Sequence, residues 1–201
     1  SPLGLTDLYL GLPSPEMARK AEVVCTGAPP SDDQRERLGI DVPAFPEHML
    51  PYHNDPARIA LGWPSGGVIA TAAAIAGVLQ GFIADLKGRG SGIWTAEFLR
   101  NAFPPRNPDF LDPMTGQPAL RGLGVVVAGS GARALRGFPQ EVSPSAIGHM
   151  GAGGQIAWAD PESGLSFAYV TNGAHRDPLA QGAIGLDLST KALKCLAPQL
   201  E

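Results

Sequence analysis

Charged side chains make up only 17% of this 201-residue sequence, and just four of its fifteen basic residues are lysines. The arginines are scattered and the net charge is −4, which excludes a phosphate-tracking surface and with it a nucleic-acid partner. Cysteine is nearly absent. Cys25 and Cys195 lie far apart without metal-ligand spacing, so they read as free thiols, and neither a zinc site nor a disulfide framework is supported. The longest apolar run, 68–79, is broken by Thr71 and several alanines and falls well short of the ~18 residues a membrane span requires. It reads as a buried helix. No charged-then-apolar leader opens the chain, which argues against a signal peptide and leads to the expectation of a cytoplasmic protein.

Backbone punctuation, by contrast, is abundant: 26 Gly and 20 Pro, just under the ~25–30% that marks low complexity. Many turns and loops are expected around a real core, since a compact chain of this length hides roughly 70% of its unfolded surface. Residues 2–13 carry leucines between Gly and Pro and read as a packed loop with a short turn. A brief helix over 15–24 begins at a proline suited to a first helical position, and the Pro- and charge-rich stretch 27–56 reads as a surface excursion. Thr71 is a good helix cap. Ile75, Leu79, Phe82, Ile83 and Leu86 follow at helical spacing, with Gly88 as the stop. Thr95 caps a second helix that ends before Pro104, and an irregular loop runs on to Leu120.

From residue 122 the pattern changes. Leu123 and Val125 to Val127 read as a strand, and 155–159 with 165–171 form an antiparallel hairpin around Asp160-Pro161-Glu162-Ser163-Gly164. Lysines late in the tail, 191 and 194, suit the end of a terminal helix over 179–196. The chain thus divides into a helix and loop region, 1–120, and antiparallel strands with a closing helix, 121–201. Just before the hairpin stands GHMGAGG, 148–154, where four glycines surround one His and one Met. Glycine beside a strand removes side chains where something must approach the backbone; a ligand is one candidate, a wide bulge at a strand entry the other.

Order along the chain favours the ligand. PLGLTDLYLGLP (2–13), PSGGVIATAAAIAGVL (64–79), GLGVVV (122–127) and GHMGAGGQIAWADPESGLSFAYVTN (148–172), followed by a terminal helix, resemble in their order the C-terminal half of the serine β-lactamase-like family. That family includes class C β-lactamases, D-alanyl-D-alanine carboxypeptidases and related esterases. The resemblance implies an α+β fold, a five-stranded antiparallel sheet flanked by helices, of which this sequence covers only the C-terminal portion. It also implies a cleft lined by three motifs: Ser-x-x-Lys, Tyr-x-Asn or Tyr-x-Ser, and Lys-Thr-Gly or His-x-Gly.

His149-Met150-Gly151 matches the last of these. By resemblance, His149 serves the proton network or holds the substrate, and the backbone N–H of Ala152 is one half of an oxyanion hole. Met150, Gly151 and Gly153 line the substrate-binding rim. Acyl transfer needs donors aimed at the developing oxyanion, and losing one costs about 3–4 kcal/mol. Backbone amides bare of bulky side chains meet that need. The expected partner is a small-molecule ester or amide, with no cofactor and no metal.

The nucleophile is missing. The residues three before Lys20, Lys87, Lys191 and Lys194 are Met17, Ala84, Leu188 and Lys191, so no Ser-x-x-Lys exists here, and Ser65 and Ser130 lie outside any Gly-x-Ser-x-Gly elbow. Tyr52-His53-Asn54 spells Tyr-x-Asn, but after the PLGLTD segment rather than before it, and reads as a loop bordering the cleft. Met114-Thr115-Gly116 is bracketed by prolines and reads as a turn. His48, His53 and Asp55, and likewise His175 to Asp177, match no compact zinc motif. Trp63, Trp94 and Trp158 read as packing residues, and Cys195 as structural. Two functions follow: part of a serine hydrolase acting through an acyl-serine, or a non-catalytic binding module that lacks the nucleophile. On either, an unpaired sheet edge invites the missing N-terminal half or self-association.

Overall fold

The computed structural model describes residues 2–38, 46–113 and 115–196. In chain order these form β1 (Leu8–Leu10), a 3-10 helix (Ser14–Arg19), β2 (Val24–Thr26), α1 (Asp32–Leu38), α2 (Leu50–Asn54), α3 (Pro56–Leu61) and β3 (Val68–Ala70). Then come α4 (Ala72–Leu86), α5 (Ala96–Ala102), β4 (Val126–Val127), β5 (Ile147–Met150), β6 (Ile156–Ala159), β7 (Ser166–Tyr169), β8 (Gly173–His175) and α6 (Pro178–Lys194). Among the described residues the main sheet has four antiparallel strands in the order β4-β5-β6-β7, in keeping with a portion of the five-stranded family sheet.

Its hairpin matches the sequence pattern. Ile156 pairs with Tyr169 and Ala159 with Ser166, and the turn closes through Asp160 N–H to Leu165 O at 2.8 Å. Side chains alternate across the sheet. Ile156 and Trp158 enter a cluster with Phe138, Val142 and Ala146, joined by Leu193 of α6. Ala159 and Ile147 enter another with Leu79 and Ile83 of α4. Helices therefore cover both faces. Trp158, 0% exposed, lies stacked on Phe167 with ring centroids 5.6 Å apart and anchors the first cluster.

Both helices with cap signals form. Thr71 Oγ1 accepts from Ala74 N at 3.2 Å and Thr95 Oγ1 from Phe98 N at 3.1 Å. The small face of α4 has a purpose: a Cβ at Gly77 would strike Leu5, and one at Gly81 would meet Leu3 and Trp94.

Several segments differ from expectation, among them 15–24, where a 3-10 helix ends at Arg19 and Val24 already belongs to β2. The 2–13 stretch is no plain loop, because Leu8–Leu10 pairs antiparallel with Val68–Ala70; the apolar run 68–79 is accordingly a strand followed by a helix. Tyr52, His53 and Asn54 lie in α2 rather than a loop. The strand expected over 123–127 shrinks to Val126–Val127. Finally, β2 pairs in parallel with β8, so the helix and loop region shares a two-stranded sheet with the C-terminal part. Among the described residues no helix is long and apolar enough to cross a membrane.

Candidate active site

The glycine-rich segment is the end of β5 and the turn into β6. Gly151 N–H donates to Gln155 O at 2.8 Å and closes that turn. The Gln155 side chain then bridges to Thr171, its amide nitrogen donating to Thr171 O and its oxygen accepting from Thr171 N, each at 2.8 Å. Gly153 and Gly154 have φ of +82° and +96°, a region that non-glycine residues enter at a cost. A Cβ at Gly153 would stand 3.3 Å from Ala174, and one at Gly154 3.2 Å from Gln181. Turn conformation and packing against β8 and α6 account for these two glycines. Room for a ligand is not what requires them.

Gly151 and Ala152 are exposed at the tip. Among the hydrogen bonds of the described residues, the Ala152 N–H has no partner. His149 sits at the neighbouring strand end, exposed, with Nδ1 hydrogen-bonded to the Met150 carbonyl. A carbonyl only accepts, so Nδ1 carries the proton in the neutral ring and Nε2 keeps its lone pair. Met150 goes to the other face and packs on Gly137, where an added Cβ would lie 2.2 Å from its Cγ.

His149 pairs with Ala157 on the α4 side of the sheet. There it borders a cavity of about 320 Å³ between α4, α5, the 123–125 loop and β5, lined among others by Phe82, Trp94, Phe98 and Phe103. Trp94 packs on Phe82 with centroids 4.3 Å apart. The residue that sets this wall is Asp85, only 4% exposed: its carboxylate accepts from Gly92 N at 2.8 Å and Trp94 N at 3.1 Å. Sequence reasoning missed Asp85, which looks like an ordinary polar position of α4. The signal was the glycine series 88, 90 and 92 directly after it, a loop tight enough to need a buried acceptor.

Arg136 was missed as well. It is 8% exposed and donates to the carbonyls of Ala128, Pro118, Ser130 and Gly131; burial pushes its pKa below the ordinary arginine value, helped by nearby Arg133. These bonds secure the loop after β4. Ser130 lies in it between two left-handed glycines, unlike a nucleophile elbow.

The remaining candidates are engaged elsewhere, apart from Cys25, whose strand pairs with β8 beside the β5–β6 turn. Asn54 is fully engaged in structure, its side chain accepting from Val23 N at 2.9 Å and donating to Val23 O at 2.8 Å. The Tyr52 ring lies 3.9 Å beneath the Arg58 guanidinium. Thr115 and Gly116 turn back on Asp112, while Met114 lies outside the described residues. Cys25 belongs to β2, and Cys195 is exposed just after α6. No three His, Cys, Asp or Glu side chains among the described residues could together hold a metal ion.

The beta-lactamase family model matches residues 1–191. Among solved structures, EstA from Arthrobacter nitroguajacolicus aligns over 97% of this chain and 51% of its own, with a TM-score of 0.69 and 23% identity. A penicillin-binding protein homolog from Caulobacter crescentus aligns over 92% and 48%, with a TM-score of 0.64 and 24% identity. For a beta-lactamase from Mycobacterium bovis the figures are 79%, 52%, 0.51 and 23%. The chain therefore spans about half the length of these structures, and at such identities the likeness speaks for the fold. No curated protein matches.

Proposed function

This chain belongs to the beta-lactamase family, and on that premise we propose that it forms one wall of the acyl-transfer site of a serine hydrolase cleaving ester or amide bonds. The observation that carries the reading is the N–H of exposed Ala152, without a partner among the described residues and three residues after His149. An unclaimed backbone donor beside a histidine with a free Nε2 suits a developing oxyanion and a proton relay. The serine and its activating base come from outside the 201 residues, which contain no Ser-x-x-Lys. Gly151 keeps the approach to the Ala152 amide low, and Gly153 holds the turn that presents it. Met150, seated on Gly137, contributes as a brace for the strand end rather than through direct contact. His-x-Gly in place of Lys-Thr-Gly resembles the esterase and peptidase members, so a short p-nitrophenyl ester is expected to turn over faster than a cephalosporin.

The test is labelling of the longest native form of the protein with a fluorophosphonate probe. One labelled serine is expected, with His149→Gln lowering kcat/KM for the ester about 10²-fold or more, as loss of a proton-transfer group does. A second reading, a non-catalytic binding module, is favoured by the missing Ser-x-x-Lys alone; a folded native form that takes up no probe would establish it over the first.

A further inference from the structure

The turn that presents the Ala152 amide is held at its base by a side chain. Between β6 and β7 the backbone register runs from Ala159 opposite Ser166 to Ile156 opposite Tyr169. In an antiparallel pair every second couple of residues exchanges backbone bonds, and the bond from Asp160 N–H to Leu165 O puts Ile156 and Tyr169 in that class. Two residues further the register would set Gly154 opposite Thr171, whose N–H and C=O then face the β6 side. Gly154 does not take that place, because it turns at a φ of +96° and packs on Gln181 of α6. The carboxamide of Gln155 supplies both bonds instead, donating to Thr171 O and accepting from Thr171 N, each at 2.8 Å. A side-chain amide offers a donor and an acceptor as a peptide group does. One side chain thus replaces one residue of strand and frees the main chain to turn.

Gln155 also reaches the residues on either side of Ala152. A Cβ at Gly151 would stand 3.1 Å from the Gln155 Cβ, and one at Gly153 3.7 Å from its Nε2. Its backbone oxygen accepts from Gly151 N at 2.8 Å. Resting on the acyl-transfer reading, we propose that Gln155 is a positioning residue of the site: by standing in for the missing rung opposite Thr171 it fixes the 151–154 turn and with it the direction of the Ala152 N–H. Gln155 acts at one remove from the chemistry, through the alignment of a donor. Alignment matters because a hydrogen bond weakens steeply as its angle closes, and a misplacement of ~1 Å can cost ~10²-fold in rate.

The experiment compares the native protein with three variants. Gln155→Met keeps the length of the side chain and removes both bonds. Gln155→Glu keeps the acceptor for Thr171 N–H but sets a carboxylate against Thr171 O. Thr71→Ala lowers stability by uncapping α4 and serves as the control. In p-nitrophenyl ester hydrolysis both Gln155 variants should lose about tenfold or more in kcat. Their KM should change by less than about threefold, because the amide meets charge that develops only in the transition state. Thr71→Ala should keep the kcat of the native protein. A folded Gln155 variant with kcat unchanged, or with a loss no greater than that of Thr71→Ala, overturns the proposal. The second arm needs no turnover: the NMR order parameter of the Ala152 amide should fall from about 0.85, the rigid-backbone value, to below about 0.6 in both Gln155 variants, while that of Trp158 holds. The same fall in a protein that cleaves no ester and takes up no fluorophosphonate leaves the positioning role standing and ends only the acyl-transfer reading. An Ala152 order parameter unchanged in both variants overturns the proposal whatever the activity.

Discussion

At the scale of single residues, what could be read from the sequence is what depends on neighbours along the chain. His149 and Ala152 could be singled out because a motif and its order point to them. Asp85 and Arg136 could not, because a buried charge is recognisable only once distant backbone closes over it; for Arg136 that includes Pro118 and Ala128. The glycines teach a related lesson. The crowding around His149 suggested space for a ligand, yet Gly154 is held by a φ of +96° and by contact with Gln181. Gly154→Ala is therefore expected to destabilise the protein by about 1–3 kcal/mol, the usual cost of a strained backbone position, read as a lower urea midpoint. Trp158→Ala should cost more, about 3–5 kcal/mol for an emptied core site. An unchanged midpoint in either variant would contradict the packing described.

Among elements, helices and the hairpin were legible and the short strands were not. Thr71 and Thr95 cap locally, and the Asp160–Gly164 turn announces the β6-β7 pair. By contrast β1 and β3 are three residues each and exist only because Leu8 meets Ala70 across sixty residues of chain; no local pattern reveals that. Thr71→Ala should cost about 1 kcal/mol, seen as a lower melting temperature, with the mutant regaining most of it as Asn or Ser. The segment before α2 is joined to β8 by Arg176, whose Nε lies 2.5 Å from a Glu47 carboxylate oxygen. That hydrogen bond holds the Glu47 carboxyl below its usual pKa. A lowered folded value means that the pair's contribution is present above the unfolded carboxylate pKa and is lost as pH falls through the folded one. In an NMR titration Glu47 should titrate below the ordinary range and return to it in Arg176→Ala; no upward movement would rule the ion pair out in solution.

For the molecule as a whole, the order of its segments was legible, and the beta-lactamase-like fold with it. Among the described residues the main sheet has four strands, with β4 and β7 at its edges, as suits a part of a larger family fold. Leu8, Leu10 and Val68 add an exposed apolar patch on the β1-β3 ribbon. Unpaired edges and exposed apolar surface promote association, so the 201-residue chain by itself should sediment as a concentration-dependent mixture of species. A sharp, concentration-independent melt of a monomer would contradict this. The central claim, that the β5 tip receives the charge of a reacting carbonyl, is tested most directly by removing one hydrogen. Ala152→Pro deletes the N–H and Ala152→Gly keeps it, and the rate of fluorophosphonate labelling of the native protein compares them. The account predicts a loss of about 10²–10³-fold for the proline variant, as for other oxyanion donors, against little change for glycine in an equally folded protein; equal rates in both would contradict it.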